Sequence, residues 1–132
     1  MPWAELLVLL LVLGSCRDVT SSETVADQFA DAYFRRFDQD SALAFTALGA
    51  TEMLDKELAD TKAIRESGYT PVEAAADVTF TRGPAIPRDA RIDYRYEVTA
   101  RSEDTPSVVR EVDVELAKIG GVWKVVTLHF VK

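Results

Sequence analysis

The chain has 132 residues, 22 Asp+Glu against 15 Lys+Arg for a net charge of -7, 48% hydrophobic residues, one Cys and one His. That length fits one domain able to bury a core without staples and excludes a multidomain enzyme. The acidity offers no field to attract phosphates, so nucleic acid is excluded as a partner. One Cys and one His supply neither a zinc site nor an internal disulfide, and no metal and no cofactor is expected.

Residues 6–13 read LLVLLLVL. Eight apolar residues are too few to cross a bilayer as a helix, which takes about 20, but they suit the apolar region of a secretory signal peptide. Leu13-Gly14-Ser15-Cys16 resembles the lipobox of bacterial lipoproteins. The resemblance implies a cut just before Cys16, a diacylglycerol on its thiol and palmitate-type acyl chains that hold the protein on a membrane, since two or three chains anchor stably where one does not. Residues 1–5 depart from the pattern, with Glu5 and no Lys or Arg where signal peptides open on positive charge. The competing reading, a short buried element ending in an ordinary buried cysteine, has to account for the uninterrupted apolar run. Three segments result: a lipoprotein signal peptide over 1–15, a lipidated cysteine and tether over 16–22, and a folded domain over 23–132. Arg17 is not the Asp that resembles an inner-membrane retention signal, so the expected address is the cell envelope, at the outer membrane where the host has one.

Thr20 and Glu23 stand three apart, as in a capping box at a helix start. Val25, Phe29, Ala32, Tyr33 and Phe37 then share one helical stripe, with Asp27, Asp31, Arg35 and Asp38 elsewhere. A second, short helix is expected after Asp40 as N-cap, carrying Leu43, Ala44, Ala47 and Leu48 and broken by Gly49. A third is expected from Thr51 through Met53, Leu54, Leu58 and Ile64 to near Gly68, with Pro71 beyond.

Past Pro71, β-branched and aromatic residues alternate with charged ones, and four strands are predicted, over 78–82, 88–102, 108–119 and 122–132. The second places Ile92, Tyr94, Tyr96, Val98 and Ala100 on one face. The third does the same with Val112, Val114 and Leu116, and leaves Glu111, Asp113 and Glu115 outside. Gly120-Gly121 signals a two-residue hairpin. With Ile119 opposite Val122, a regular ladder sets Leu116 opposite Val125, Val114 opposite Thr127 and Val112 opposite His129. His129 then falls on the apolar inner face, and Val126, Leu128 and Phe130 form an apolar stripe on the outer one, a face suited to homodimerisation.

Helices followed by an antiparallel sheet that ends in GGVWKVVTLHF resemble the nuclear transport factor 2-like superfamily, in particular its SnoaL-like branch. The resemblance covers about residues 22–132. It implies an α+β fold, two or three N-terminal helices packed on a curved, cone-like antiparallel sheet of at least four strands, with a pocket at its mouth. It implies no activity, since the superfamily hosts isomerases, cyclases, dehydratases, binding proteins and dimerisation modules.

A pocket in such a cone would draw on Phe29, Tyr33, Tyr94, Tyr96, Trp123, Thr127 and His129. His129 as base with tyrosine donors would suit a hydrolase, isomerase or lyase. That chemistry needs a charged partner on the same face, and the sheet carboxylates alternate onto the other one. The sequence therefore favours a membrane-anchored lipoprotein with a small non-catalytic interaction domain. Its partner would be an envelope protein or a second copy. The alternatives are a binder of a small apolar ligand in the cone and, behind it, the His129 enzyme.

Overall fold

The computed structural model describes residues 21–68 and 77–131. Residues 1–15, where a signal peptide is expected, and Cys16, Thr20 and Pro71 lie outside these residues. Helix α1 covers residues 21–30 and runs on as a π turn, Asp31–Arg35. Helix α2, Gln39–Leu43, and helix α3, Leu48–Glu66, come after it. Five strands complete the chain: β1 Asp77–Arg82, β2 Ile86–Arg88, β3 Arg91–Ser102, β4 Thr105–Ile119 and β5 Val122–Val131. They form one antiparallel sheet in the order β1-β3-β4-β5, with β2 pairing the same edge of β3 as β1. The expected α+β arrangement is what the chain adopts, with one strand more than four.

The extra strand is short because Gly83-Pro84-Ala85 interrupts the edge. The Gly83 amide still donates to the Arg95 carbonyl at 2.8 Å, which holds the chain against β3 across the break. A Cβ at Gly83 would sit 2.9 Å from that same oxygen. Gly83→Ala is therefore expected to force the edge outward and cost about 1–2 kcal/mol, read as a lower urea midpoint at unchanged m-value.

Two helix limits differ from expectation. The cap of α2 is Asp38, not Asp40: its carboxylate accepts from the Ser41 amide at 3.1 Å and the Ser41 hydroxyl at 2.6 Å. These bonds hold its carboxyl below the usual carboxylate range. Gly49 does not break a helix; it lies in the first turn of α3, where a Cβ would come 3.3 Å from the Val126 carbonyl oxygen. Lacking a side chain, it lets α3 start close against β5. Gly68, at φ +80°, closes the far end just past the C-cap Ser67.

The inner face of the sheet meets the helices in one core. Phe29, Leu54, Tyr94, Tyr96, Val112 and Val114 are fully buried there. Tyrosines in such a core need partners for their hydroxyls, and α1 supplies them. Ser22 Oγ lies 2.7 Å from the Tyr94 hydroxyl, and the Tyr96 hydroxyl donates to Asp27 Oδ1 at 2.7 Å. Asp27 also pairs with Arg82, at the end of β1, whose other Nη lies 3.6 Å from Glu23. Arg82 lies over the Tyr94 ring, 5.8 Å from its centroid.

The hairpin at Gly120-Gly121 forms as expected, with both glycines at positive φ, Ile119 opposite Val122 and Leu116 opposite Val125. Beyond that pair the register shifts. Glu115 faces Thr127, Val114 faces Leu128, Asp113 faces His129 and Val112 faces Phe130, so Val126 is an extra residue in β5. The cause is tertiary. The free edge of Val125 is taken by the segment before α3: its amide donates to the Phe45 carbonyl at 2.8 Å, and its carbonyl accepts from the Ala47 amide at 2.9 Å. Val126, directly after it, is 2% exposed. The bulge reverses the expected faces. Leu128 packs against the core and Phe130 turns to the inner face, while Thr127 and His129 stand exposed on the outer one. The apolar outer stripe of Val126, Leu128 and Phe130 expected for a homodimer is therefore absent.

Candidate functional site

The π turn positions the site. Its backbone bonds reach further back than those of an α-helix: Arg36 donates to the Asp31 carbonyl at 3.0 Å and Asp38 to that of Ala32 at 2.9 Å. Widened turns of this kind recur at functional sites, because they turn side chains an α-helix would splay apart onto one side. Here Phe34, one step off the expected stripe, is buried beside Tyr33, with ring centroids 5.3 Å apart, edge to face. Phe29 stacks on Tyr33 at 5.4 Å from behind. Asp31 anchors the turn from outside through Arg35 at 3.2 Å and Arg36 at 3.0 Å. At its exit Phe37 holds φ +52°, a left-handed conformation disfavoured for a bulky residue and found where surrounding structure enforces it.

Between this turn and the sheet lies a cavity of about 270 Å³. Tyr33, Phe34 and Phe37 close one side, with Gln39 just beyond. Val78 of β1, Val98 and Ala100 of β3 and Phe130 of β5 form the other. The volume falls just under the ~300 Å³ at which drug-sized pockets begin, so it suits a small molecule. A wider, more open depression of about 540 Å³ on the far side of α1 is lined by Thr24, Asp27, Gln28, Asp31, Arg36 and Phe45. Its lining mixes charged and amide side chains with one aromatic ring, Phe45.

Of the residues expected to make a pocket, the structure brings one, Tyr33, to the cavity. Phe29, Tyr94 and Tyr96 are buried beneath it as core. Trp123 is buried near the β4–β5 hairpin, with the Lys118 ammonium 5.5 Å from its ring centroid, and does not line the cavity. Its Nε1 has no hydrogen-bond partner among the described residues. Thr127 and His129 are on the outer face. The arrangement of His129 with tyrosine donors is thus not assembled: His129 faces Asp113 across the ladder, on the side away from every tyrosine named with it.

Nor is any lining tyrosine set up for proton transfer. The Tyr33 hydroxyl donates to Glu57 Oε1 at 2.7 Å; burial, then that bond and the Glu57 charge, push its pKa well above the phenolic range. Burial does the same to Tyr96, helped by Asp27, and raises Tyr94 as well. All three hold their protons at neutral pH. Among the described residues no group of three or more His, Cys, Asp or Glu side chains is placed to hold a metal ion, and no helix is long and apolar enough to cross a membrane.

Apart from Tyr33, the cavity lining was not expected from the sequence: Phe34, Phe37 and Gln39 on the helical side, and Val78, Val98, Ala100 and Phe130 on the sheet. The pairing of Asp27 with Arg82 was not expected either. A signal for Arg82 was present: Val78, Phe80 and Arg82 alternate along β1, which places an arginine on the inner face. Only a carboxylate from the covering helix makes that position tolerable.

The outer face is a ladder of ion pairs. Arg95 meets Asp113 through two nitrogens, at 2.8 and 3.0 Å, and Glu111 at 3.6 Å; Arg91 pairs with Glu115. The bond to Arg95, then the Arg95 and His129 charges, hold Asp113 below the usual range. Asp93 behaves oppositely. It meets Arg88 at 2.9 Å, but its Oδ1 is buried without a partner among the described residues, and burial raises its pKa despite Arg88. A raised carboxyl in the folded state subtracts stability as pH climbs from the unfolded value through the folded one. Asp93→Asn should therefore raise the melting temperature at pH 7 and make no difference below about pH 3, where Asp93 is protonated in either state; thermal unfolding at both pH values checks this.

No family model and no curated protein matches the sequence. Among solved structures, the chain is similar to an NTF-2 like protein of unknown function from Shewanella oneidensis MR-1, with a TM-score of 0.58 at 12% identity over 86% of this chain and 98% of that one. The fold is nuclear transport factor 2-like. At this identity the likeness carries the shape and not an activity. In this nuclear transport factor 2-like fold the cavity lies between the π turn and strands β1, β3 and β5.

Proposed function

We propose that the protein is a membrane-anchored lipoprotein, attached through Cys16, whose non-catalytic domain holds a small apolar molecule in the cavity between the π turn and the sheet. One observation carries the binding half of this reading. The cavity is walled by Phe34, Phe37, Val78, Val98 and Phe130, and the one hydroxyl at its edge, Tyr33, is already bonded to Glu57. Such a lining gains from burying hydrocarbon, at about 25 cal/mol per Å², and presents one side-chain amide, Gln39, with no carboxylate, histidine or thiol. The anchoring half rests on the lipobox resemblance of residues 13–16.

Native mass spectrometry of the processed chain, purified gently from the cells that make it, tests both halves. The expected result is acyl mass at the N-terminus and a further mass of a few hundred daltons per chain that leaves on denaturation (ligand size scaled to the cavity). A second reading, an interaction domain, is favoured by Val108 and Val109, exposed on the part of β4 that runs past the end of β5. A stable dimer or heterocomplex with an empty cavity would transfer the assignment to it.

The same anchoring predicts that Cys16→Ser leaves the protein unprocessed or released from membranes. A mutant processed and fractionated like the wild type would contradict it.

A further inference from the structure

We infer that the β4–β5 hairpin, with Ile119 and Val122 at its tip and Lys118 and Lys124 behind them, rests on an anionic lipid surface beside the anchor. The inference deepens the proposed anchoring at Cys16 and depends on it.

The sheet has two unlike ends. At one, the β3–β4 hairpin carries Glu103 and Asp104, which share a hollow with Asp77 of β1 and with Arg101, three acids to one base. At the other lies the β4–β5 hairpin, in a stretch from Leu116 to Lys132 that contains no Asp or Glu although the chain as a whole carries -7. Ile119 and Val122 flank the Gly-Gly turn and are 40% and 53% exposed. Ile86, also exposed, stands at the same end, where β2 pairs with the start of β3.

The helix nearest the anchor in sequence starts toward this end. Along α1, Ser22 meets Tyr94, Asp27 meets Tyr96, and Tyr33 reaches the cavity beside Val98 and Ala100, so the helix climbs β3 away from the β4–β5 hairpin. Residue 21 is five residues from Cys16, a span of at most about 17 Å. An anchored chain therefore holds the start of α1 close to the bilayer, and the end of the sheet nearest that start faces the lipid.

The chemistry of that end suits the position. Exposed aliphatics gain by entering the headgroup region. Behind them Lys124 donates to the Ala44 carbonyl at 2.7 Å and Lys118 lies 5.5 Å from the Trp123 ring centroid, so both ammoniums are held at this end of the sheet and give it a positive charge. The acidic β3–β4 end is repelled by the same surface, so charge sets the orientation at both ends.

The full chain carrying Trp3→Phe has Trp123, in β5 next to Val122, as its one tryptophan. After purification from membranes it is placed in vesicles of phosphatidylcholine and phosphatidylglycerol, with and without lipid bearing a quencher near the headgroup. The expected result is quenching of Trp123. It should be lost in Ile119→Ser/Val122→Ser and in Lys118→Glu/Lys124→Glu, with both variants still floating with the vesicles. Acylated, floating protein whose Trp123 is not quenched, or is quenched equally in the variants, overturns the inference and leaves the anchor standing. An intact mass without acyl chains overturns the anchor and the inference together. Unquenched Trp123 in a protein that migrates as a dimer would give the hairpin to a second copy.

Discussion

Phe29→Ala is expected to destabilise the fold by about 3–5 kcal/mol without a direct loss of ligand contact. The ring is fully buried, stacked at 5.4 Å on Tyr33 and edge-on at 6.3 Å to Phe34. Its removal leaves a void that α1 can close only by shifting, and aromatic pairs add about 0.5–1.5 kcal/mol beyond the area they bury. Denaturant unfolding monitored by circular dichroism measures the loss. A pocket-wall role would give a different signature, with weaker binding and little change in the midpoint. A stability loss under about 1 kcal/mol, small for an aromatic core truncation, would show that Phe29 lines space rather than fills it.

Arg82→Met should cost about 2 kcal/mol, below the roughly 3–5 kcal/mol of a fully buried pair because the guanidinium is part exposed. Burial works against the Arg82 charge, and the bond to Asp27 with the Asp27 and Glu23 charges outweighs it, so the guanidinium is held more firmly than usual. Without it, Asp27 and Glu23 face each other on α1 with only the Tyr96 hydroxyl as compensation. The double variant Arg82→Met/Asp27→Leu should recover much of the loss, since a mutual replacement leaves no stranded charge. Equal destabilisation by the single and double variants would mean that the pair contributes by packing alone.

The parts of this fold that local alternation controls were legible in the sequence. Ile92, Tyr94 and Tyr96 on β3, and Val112, Val114 and Leu116 on β4, read inward from their spacing and are buried. The Gly120-Gly121 turn fixed the hairpin as far as Leu116 opposite Val125. The remainder of β5 was not legible, because VVTLHFV places aliphatics on either face whichever phase is chosen. Phase is decided by Phe45 and Ala47 binding the edge at Val125, partners far from it in the chain. One extra residue there moved His129 to the outer face and Phe130 to the inner one, where it stays 44% exposed at the cavity wall.

The cavity was hidden for a similar reason. A regular helical stripe links Phe29, Tyr33 and Phe37 and leaves Phe34 aside. The π turn changes the angular step midway, and nothing in DAYFR announces it. Asp27 was readable as a polar residue off the helical stripe and Arg82 as one at a strand end. Their partnership depends on α1 lying across β1 and β3, which is a fact of tertiary packing.

The central claim is that the cavity binds a small apolar molecule, and titration with a neutral fluorescent naphthylamine tests it most directly. The account predicts saturable enhancement at one site per chain. It predicts loss of that site in Ala100→Phe, which fills the space, and in Phe130→Asp, which puts a charge on its wall, both folding as the parent does. Enhancement that fails to saturate, or that survives both substitutions unchanged, would contradict it.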